Sequence, residues 1–380
     1  MVINILPSAI DSRSLCRFNA FTGQLHQTDL KTHQRDRQNL HGTELKNEIE
    51  QKRDGLVLEK PSEELPTWTW SNIVWSNVVK LGFLHIFAIW GIFHWHLLKW
   101  QTHVFGLIWL QLSGLSVTVG AHRLWCHRSY KAKSPLRAFL MILNCIAAQN
   151  DLYEWVRDHR VHHKYSDTNA DPHNINRGLF FSHMGWLLFK KHPDVTKFGR
   201  RIDCSDVLAD PIVRFQRRYY GWLVIFMAFL VPTYVPWLLW NESLLISFLV
   251  PTCLRLIASL HFTWSVNSLA HYFGDKPFDK YMAPTETTLV SFWAVGEGFH
   301  NFHHAFPFDY SCSELGWFVN PSKLFIDLMA YFDLAYDCRS VSRETILRKK
   351  LATGDGTRLP ARIKEIKTMA IQTEMNRQGL

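Results

Sequence analysis

The chain has 380 residues, a formal net charge of +9 at pH 7 and a pI near 9.2. This excess of positive charge suits an anionic partner, such as a membrane surface, a phosphorylated substrate or nucleic acid. The mean hydropathy of −0.10 resembles that of a soluble protein, but 16 Trp and 26 Phe are a heavy aromatic load, and Trp favours membrane interfaces. Seven Cys without a CxxC pair argue against a disulfide framework or a zinc ribbon and fit a reducing compartment.

Both ends of the chain are polar. Residues 1–65 are rich in Gln, Asn, Lys, Arg and Glu and have almost no aromatic residues, which predicts a mostly disordered tail. The start, MVINILPSAI, has neither a basic beginning nor a long apolar run, so we expect no cleaved secretion signal. Residues 346–380 are predicted to form a basic tail, which leaves 66–345 as one integral-membrane domain.

Four apolar segments follow the polar start, at about 72–93, 102–121, 219–240 and 243–264. Each has about the 20 residues that a helix needs to cross the hydrocarbon core of a bilayer. The first and fourth segments carry one charge each, Lys80 and Arg255, and the other two carry none. Buried helices of a soluble protein are the alternative, but two hairpins of this length favour membrane spans.

A shorter apolar run at 138–149 predicts a buried or interfacial helix. The turns within the two hairpins contain only Lys99 as a fixed positive charge, whereas 122–218 and both ends are rich in Lys and Arg. The positive-inside rule therefore places 122–218 and both termini in the cytosol. The predicted fold is an all-α membrane protein, with four transmembrane helices capped by a helical cytosolic domain.

Histidines are concentrated in three clusters. The first is an HxxxxH at the end of the second span, and the other two are HxxHH patterns. Positions i, i+3 and i+4 of a helix share one face, so each HxxHH directs three imidazoles the same way. HxxxxH suits one straight helical face poorly and suggests a helix end or bend. The residues are His122 and His127, then His159, His162 and His163, then His300, His303 and His304; His271 follows the fourth span, four residues after Asn267.

Chance does not explain these clusters. At this histidine frequency one HxxHH is expected about 0.05 times, and the chain has two. Isolated histidines such as His85 and His192 are interpreted as ordinary surface or interfacial residues. The spans put all nine clustered histidines on the same side of the membrane, which predicts a shared metal site. Nine imidazoles exceed what one ion can bind, so two ions are implied; imidazole suits Fe, Cu, Zn and Ni alike.

Longer sequence blocks identify a family. GAHRLWCHRSYKA, QNDLYEWVRDHRVHHKYSDTNADPHN, SHMGWLLFKKHP, FQRRYY, TWSVNSLAHYFG and AVGEGFHNFHHAFPFDYS resemble the animal stearoyl-CoA desaturases, and the resemblance covers about residues 65–356. It implies that the nine clustered histidines bind two iron ions and that Asn267 reaches one of them through water. The implied substrate contacts are Asn77, Gln149, Asn150, Arg157, Asp158, Lys190, Lys191 and Trp264, with Trp155 and Thr263 holding the bent acyl chain.

The same resemblance places the closed end of an acyl tunnel at Leu110 and Gly114, where the family pattern has a bulkier Tyr and an Ala. Gly114 lies eight residues before His122, which is about 12 Å along a helix and matches nine methylenes beyond the reacting carbon. The alternative is that Gly114 allows the spans to pack closely. Arg157, Lys190 and Lys191 are cations that suit CoA phosphates; ordinary juxtamembrane basic residues are the alternative interpretation.

The resemblance implies an enzyme of the endoplasmic reticulum membrane that inserts a cis double bond, by default at position 9, into a saturated fatty acyl-CoA with O2. The chain has no GxGxxG after a strand and no flavin or haem motif, so a separate electron donor is needed, which in this family is cytochrome b5 with its reductase. The basic cytosolic face would steer such an acidic donor. No nucleic acid partner is expected.

Two other functions share some of these features. A His-rich di-iron hydroxylase or alkane monooxygenase would have the same spans and clusters, although the flanking blocks favour the desaturases. A non-enzymatic metal transporter or adaptor belongs to another class. Transport sites usually lie near the membrane midplane, whereas these histidines follow the ends of the spans.

Overall fold

The computed structural model describes residues 59–66, 69–361 and 369, and the fold is almost entirely helical. Two short strands, β1 (Lys131–Ala132) and β2 (Ala335–Tyr336), pair antiparallel. The helices in chain order are α1 (Trp75–Leu97), α2 (Trp100–Cys126), α3 (Ser134–Ala147), α4 (Leu152–Tyr165), α5 (Phe181–Gly185 continuing into Trp186–Leu188), α6 (Pro193–Gly199), α7 (Ser205–Ala209), α8 (Pro211–Trp240), α9 (Leu244–His271), α10 (Thr288–Trp293), α11 (His300–Ala305), α12 (Pro321–Tyr331) and α13 (Arg343–Thr353).

Within the described residues, α1, α2, α8 and α9 are the four helices long and apolar enough to cross a membrane. They confirm the predicted architecture of two hairpins. Three of them extend well beyond their apolar segments. Helix α8 begins at Pro211, where the Asp210 carboxylate caps the helix by accepting the Ile212 N–H at 3.0 Å. Helices α2 and α9 continue to Cys126 and His271, so both carry metal-binding residue types out of the membrane on rigid backbone.

Helix α9 is the most buried of the four spans and α1 the least. Close packing of α1 on α9 depends on Gly91, because a Cβ added there would lie 2.7 Å from the carbonyl oxygen of Leu249. Helix α3 corresponds to the predicted short helix at 138–149. It buries Leu140 and Ile146 completely and leaves Phe139 44% exposed, as expected of a helix with one face against the protein.

The polar ends are described only in part. Residues 1–58, 67–68, 362–368 and 370–380 lie outside the described residues, so the predicted disordered tail is mostly beyond the structure's reach. The Asn169 side-chain amide donates to the carbonyls of Ser62 and Glu64 at 2.8 and 2.7 Å, which attaches residues 62–64 to the domain. Helix α13 crosses the boundary placed at residue 345, and Lys350 is buried with its ammonium 2.8 Å from Glu314. The division into three parts stays a prediction.

The charge noticed in the fourth span, Arg255, is buried and donates to three carbonyls. These belong to Pro251 at 3.2 Å, Ile146 at 3.0 Å and Ala228 at 3.0 Å. The Ile146 carbonyl is in the last turn of α3, and Ala228 lies in a π-wound stretch of α8, Ile225–Leu230. Carbonyls at helix ends lack a helical donor, and π-wound segments rearrange the normal ladder. One guanidinium thus satisfies groups on three helices where no water is at hand.

We expect Arg255→Met to lower the free energy of unfolding by about 3 kcal/mol, because it leaves two buried interhelical carbonyls without a donor at about 1–3 kcal/mol each. Thermal unfolding in detergent measures this. Arg218→Met removes an exposed arginine of α8 and is the matched control. Equal melting temperatures for the two variants would refute the bracing role.

Candidate metal centre

The end of α2 explains the HxxxxH spacing. From Ser116 to Cys126 the helix is π-wound, and the His127 N–H donates to the His122 carbonyl at 3.0 Å, an i to i+5 bond. Residues five apart therefore meet on one face, and the two imidazole centroids are 4.8 Å apart. π-wound turns are rare and are frequent at functional sites. The bend predicted from the HxxxxH spacing is thus a wider, π-type turn within a continuous helix.

Helix α4 carries the second cluster. The Asp151 side chain caps its start by accepting from the N–H groups of Tyr153 and Glu154 at 3.0 and 3.1 Å. This fixes the helix so that its inner face directs the HxxHH histidines inward. Helix α11 holds the third cluster within its six residues, and His271 ends α9. Four separate segments thus deliver imidazoles to one place.

All nine clustered histidines lie in two groups, within each of which the ligand atoms are within 4.8 Å of one another. Each HxxHH is shared between the groups: its i and i+4 residues join one group and its i+3 residue joins the other. Neither helix can therefore move without disturbing both groups. The first group is His122, His127, His159, His163 and His303, and the second is His162, His271, His300 and His304.

Three carboxylates, those of Glu297, Asp171 and the partly exposed Asp167, orient the imidazoles. Nδ1 of His122 donates to Glu297 at 3.0 Å, and Nδ1 of His162 donates to Asp171 at 2.9 Å. Nδ1 of His271 donates to Asp167 at 3.2 Å. A hydrogen bond from one ring nitrogen leaves the lone pair on the other, so Nε2 of each ring is free to bind a cation.

The carboxylates are themselves held in the ionised form. Burial raises the pKa of Glu297, but His122 and the Arg123 guanidinium lower it by more than burial raises it, to about 2. Arg123 is fully buried and lies 2.8 Å from Glu297. The pKa of Asp171 falls to about 2 as well, since the charge of His162 outweighs the effect of burial. These anions therefore offset part of the positive charge of a bound metal.

The imidazole nitrogens are placed to bind a metal ion, and without one they face each other at close range. Nε2 of His122 lies 2.9 Å from Nε2 of His303, which in turn lies 2.9 Å from Nε2 of His163. Nε2 of His271 and of His300 are 3.0 Å apart. Burial and neighbouring imidazoles hold the pKa of His163 and His303 well below the ordinary value, so the rings are neutral. Converging lone pairs of neutral imidazoles are the donor set of a transition metal.

One further atom points to the same conclusion. Nε2 of His127 is buried and has no hydrogen-bond partner. An unsatisfied buried polar atom is costly and needs an explanation, and coordination of a metal by the first group supplies it.

Two cavities meet beside the histidine groups. The outer cavity has a volume of about 440 Å³ and the inner cavity about 70 Å³. Both are lined by Trp155, His159, Thr263 and Asn267, so they meet at this point. The Gln149 amide donates to the Thr263 hydroxyl at 2.9 Å across the junction. The inner cavity is also lined by histidines of both groups, which opens the metal centre to whatever fills it.

Most of the predicted substrate residues line these cavities. Leu110 and Gly114 line the inner cavity. Three do not line the outer one: Arg157 and Lys191 form ion pairs with Asp158, whereas Lys190 is exposed. The residues that do line the outer cavity are Asn77, Gln149, Asn150, Trp155, Asp158, Thr263 and Trp264.

Several residues of the site were not predicted from the sequence. His173 and Tyr220 line the outer cavity, and Val295 and Glu297 line the inner one. Asp167 and Asp171 could have been suspected, because each follows the second cluster by a few residues. Glu297 precedes His300 by three residues, yet its partner His122 is 175 positions away, and no local pattern relates them.

We expect Glu297→Gln to weaken metal binding about 10- to 100-fold, the usual cost of losing a carboxylate behind a ligating imidazole. The measurement is the metal retained after dialysis against graded chelator concentrations. Asp327→Asn is the control, because Asp327 is hydrogen-bonded to Tyr310 and Trp317 and contacts no clustered histidine. Equal retention by both variants would show that Glu297 does not support the site.

Comparison with known proteins agrees with this geometry. The family model for fatty acid desaturases matches residues 98–316. Stearoyl-CoA desaturase 5 of Bos taurus is 51% identical over 290 residues, covering 75% of this chain and 85% of its own. Stearoyl-CoA desaturase of Homo sapiens is 52% identical over 283 residues, covering 74% and 79%. Acyl-CoA desaturase of Cyprinus carpio is 50% identical over 310 residues, covering 81% and 94%.

The matched region contains the histidine groups and both cavities, apart from a few cavity residues of α1. The activity is therefore that of an oxidoreductase, and the non-enzymatic transporter or adaptor is excluded as the main function. The chain belongs to the animal stearoyl-CoA desaturase family, a branch of the membrane fatty acid desaturases.

Proposed function

We propose that this enzyme inserts a cis double bond, by default at position 9, into a saturated fatty acyl-CoA with O2 as oxidant. Two electrons would come from cytochrome b5 with its reductase, and the cofactor would be two iron ions, one in each histidine group. Per double bond, the acyl chain loses two hydrogens while O2, two electrons and two protons become two waters. The observation that carries the proposal is the pair of cavities that join beside both histidine groups.

The outer cavity suits the CoA end of the substrate. Its wall combines the amides of Asn77, Gln149 and Asn150 with the Asp158 carboxylate. Arg157 donates to Asp158 at 2.9 Å and Lys191 also bonds it, so two cations share one anion. The remaining positive charge lies at the cavity edge, where phosphate groups would meet it, and exposed Lys190 adds to it.

The inner cavity suits the alkyl chain. Its wall is mainly apolar, with Val117, Phe262, Val266 and Trp293 around it. The junction at Trp155 and Thr263 would bend the chain, and the bend would hold two adjacent methylenes beside the histidine groups. Fixed positioning of a substrate is worth several kcal/mol of the barrier to reaction.

Iron held by the two groups would supply the oxygen chemistry that removes hydrogen from an unactivated alkyl chain, which acid–base side chains cannot do. The protein's own residues would do the rest. The carboxylates behind His122, His162 and His271 would fix the imidazole orientation. Asn267, which lines both cavities, would reach one iron through water. The buried walls would exclude bulk water from the reacting carbons.

The cellular setting follows from the same proposal. The enzyme would be a multi-pass protein of the endoplasmic reticulum membrane, with both termini in the cytosol. The electron donor would dock on the cytosolic side, where the positive charge of the chain favours an acidic partner.

The metal stoichiometry provides one prediction. His162→Ala removes a ligand from the second group and His303→Ala from the first, and each is expected to lower the iron content from about two ions per chain towards one. Iron is measured by elemental analysis of the purified protein. His192→Ala, outside both groups, is the control. Full iron content in either variant would contradict the proposal of one ion in each group.

The reaction itself is tested in yeast that lacks its own desaturase. Expression of the chain should restore growth without added unsaturated fatty acid, and chromatography of the lipids should find monounsaturated chains with the double bond at position 9. A hydroxylated product would instead support the hydroxylase alternative. A double bond at another position would support the proposed desaturase activity and correct the proposed position of the double bond.

A further inference from the structure

A third cavity lies between α2 and α9, beyond the inner cavity, and has a volume of about 200 Å³. Its surface is almost wholly apolar, although Thr102 and His103 border it. On α2 it is also lined by Gly106, Leu107 and Leu110, and on α9 by Leu254 and Ala258. Arg255 also borders it, but its guanidinium donates to three backbone carbonyls. The cavity therefore suits an alkyl chain and no polar ligand.

The third cavity continues the inner one along the same two helices. Gly106, Leu110 and Gly114 are spaced four residues apart and share one face of α2. Leu110 lines both cavities, and Ala258 of the third is followed by Ser259 of the inner. The two spaces are therefore successive parts of one seam between α2 and α9.

Leu110 is the residue that lines both spaces. Next to it, a hydrogen bond of 2.8 Å between the buried hydroxyls of Ser113 and Ser259 connects α2 to α9. At the level of Gly114 the wall is firm, because a Cβ added there would lie 2.6 Å from Cγ2 of Val295. Val295 has a φ of +54°, which is unusual for a β-branched residue and holds its side chain against α2. Leu110 is thus the side chain whose rotation would join the two spaces.

We propose that the third cavity is a second acyl subsite, which receives the methyl end of saturated acyl chains longer than 18 carbons, with Leu110 as the residue that divides it from the inner cavity. This inference rests on the proposed desaturase function. If nine methylenes occupy the distance from His122 to Gly114, about 12 Å, then the eight residues from Gly114 past Leu110 to Gly106 add about 12 Å and roughly nine more carbons. The methyl end passes Leu110 at about 22 carbons, and acyl chains of about 26 carbons are the expected upper class of substrate.

The third cavity can be filled without disturbing the first two. A Cβ added at Gly106 would meet only Cβ of Pro251, at 3.9 Å, an ordinary contact. Gly106→Leu therefore projects a side chain into the third cavity. The experiment uses the full-length, iron-loaded protein in lipid nanodiscs, with an electron donor and a series of saturated acyl-CoAs of about 16 to 28 carbons.

We expect Gly106→Leu to leave the rate on the 18-carbon substrate within about twofold and to lower the rate on the 26-carbon substrate about tenfold. Leu110→Ala should raise the ratio of 26-carbon to 18-carbon turnover at least about threefold, and the double variant should lose that gain. The double variant is informative even if Leu110→Ala slows the enzyme, because only the ratio is compared. Iron content, measured in parallel, should be unchanged in all variants.

Several results would overturn the inference: a wild-type enzyme inactive on chains above 18 carbons, an unchanged chain-length ratio in Gly106→Leu, or a Leu110→Ala gain that persists in the double variant. A bilayer lipid retained after saturation with 26-carbon acyl-CoA, seen by native mass spectrometry, would also overturn it. Absence of desaturation for every chain length would instead refute the proposed function, so the two failures are distinguishable.

Discussion

The structure depends above all on packing nine imidazoles closely together with their lone pairs directed inward. Charged imidazolium groups packed this closely would repel one another in a medium of low dielectric constant. Burial lowers the pKa of rings such as His159 and His304, and the ionised Glu297 and Asp171 accept hydrogen bonds from Nδ1 of their partner histidines. Because α2, α4, α9 and α11 all bring histidines to the centre, folding and metal binding are linked.

The same helices build the centre and the space beside it. Helix α2 carries His122 at its end and Leu110 and Gly114 in its membrane part, while α9 carries His271 and, before it, Thr263 and Ser259. Along a helix the distance from ligand to cavity wall is fixed at about 1.5 Å per residue. The length of acyl chain that would fit and the position of the reacting carbon are thereby related through the backbone geometry of α2 and α9. No flexible loop separates the histidines from the cavity wall along these helices. The π-wound end of α2 adjusts the imidazole direction without breaking this rigid connection.

Irregular helix geometry recurs in three of the four spans. Helices α2, α8 and α9 each contain a π-wound stretch, and Arg255 bridges two of these helices and α3. Such stretches redirect side chains and alter the carbonyl pairing, which in a membrane must be satisfied by protein groups. Polar residues within the spans are therefore part of the structural frame as well as of the site.

Sequence alone determined the four spans, because length and apolarity are local properties. It also pointed to the clustered histidines, because the i, i+3, i+4 spacing of the two HxxHH patterns is local as well. It identified the family through contiguous blocks around His122, His159 and His300. Tertiary structure alone decided the division of the histidines into groups of five and four, since i+3 residues of each HxxHH cross to the other group. Pairs such as His122 with Glu297, and the alignment of two cavities between α2 and α9, depend on contacts between residues more than 100 positions apart, which no local pattern encodes.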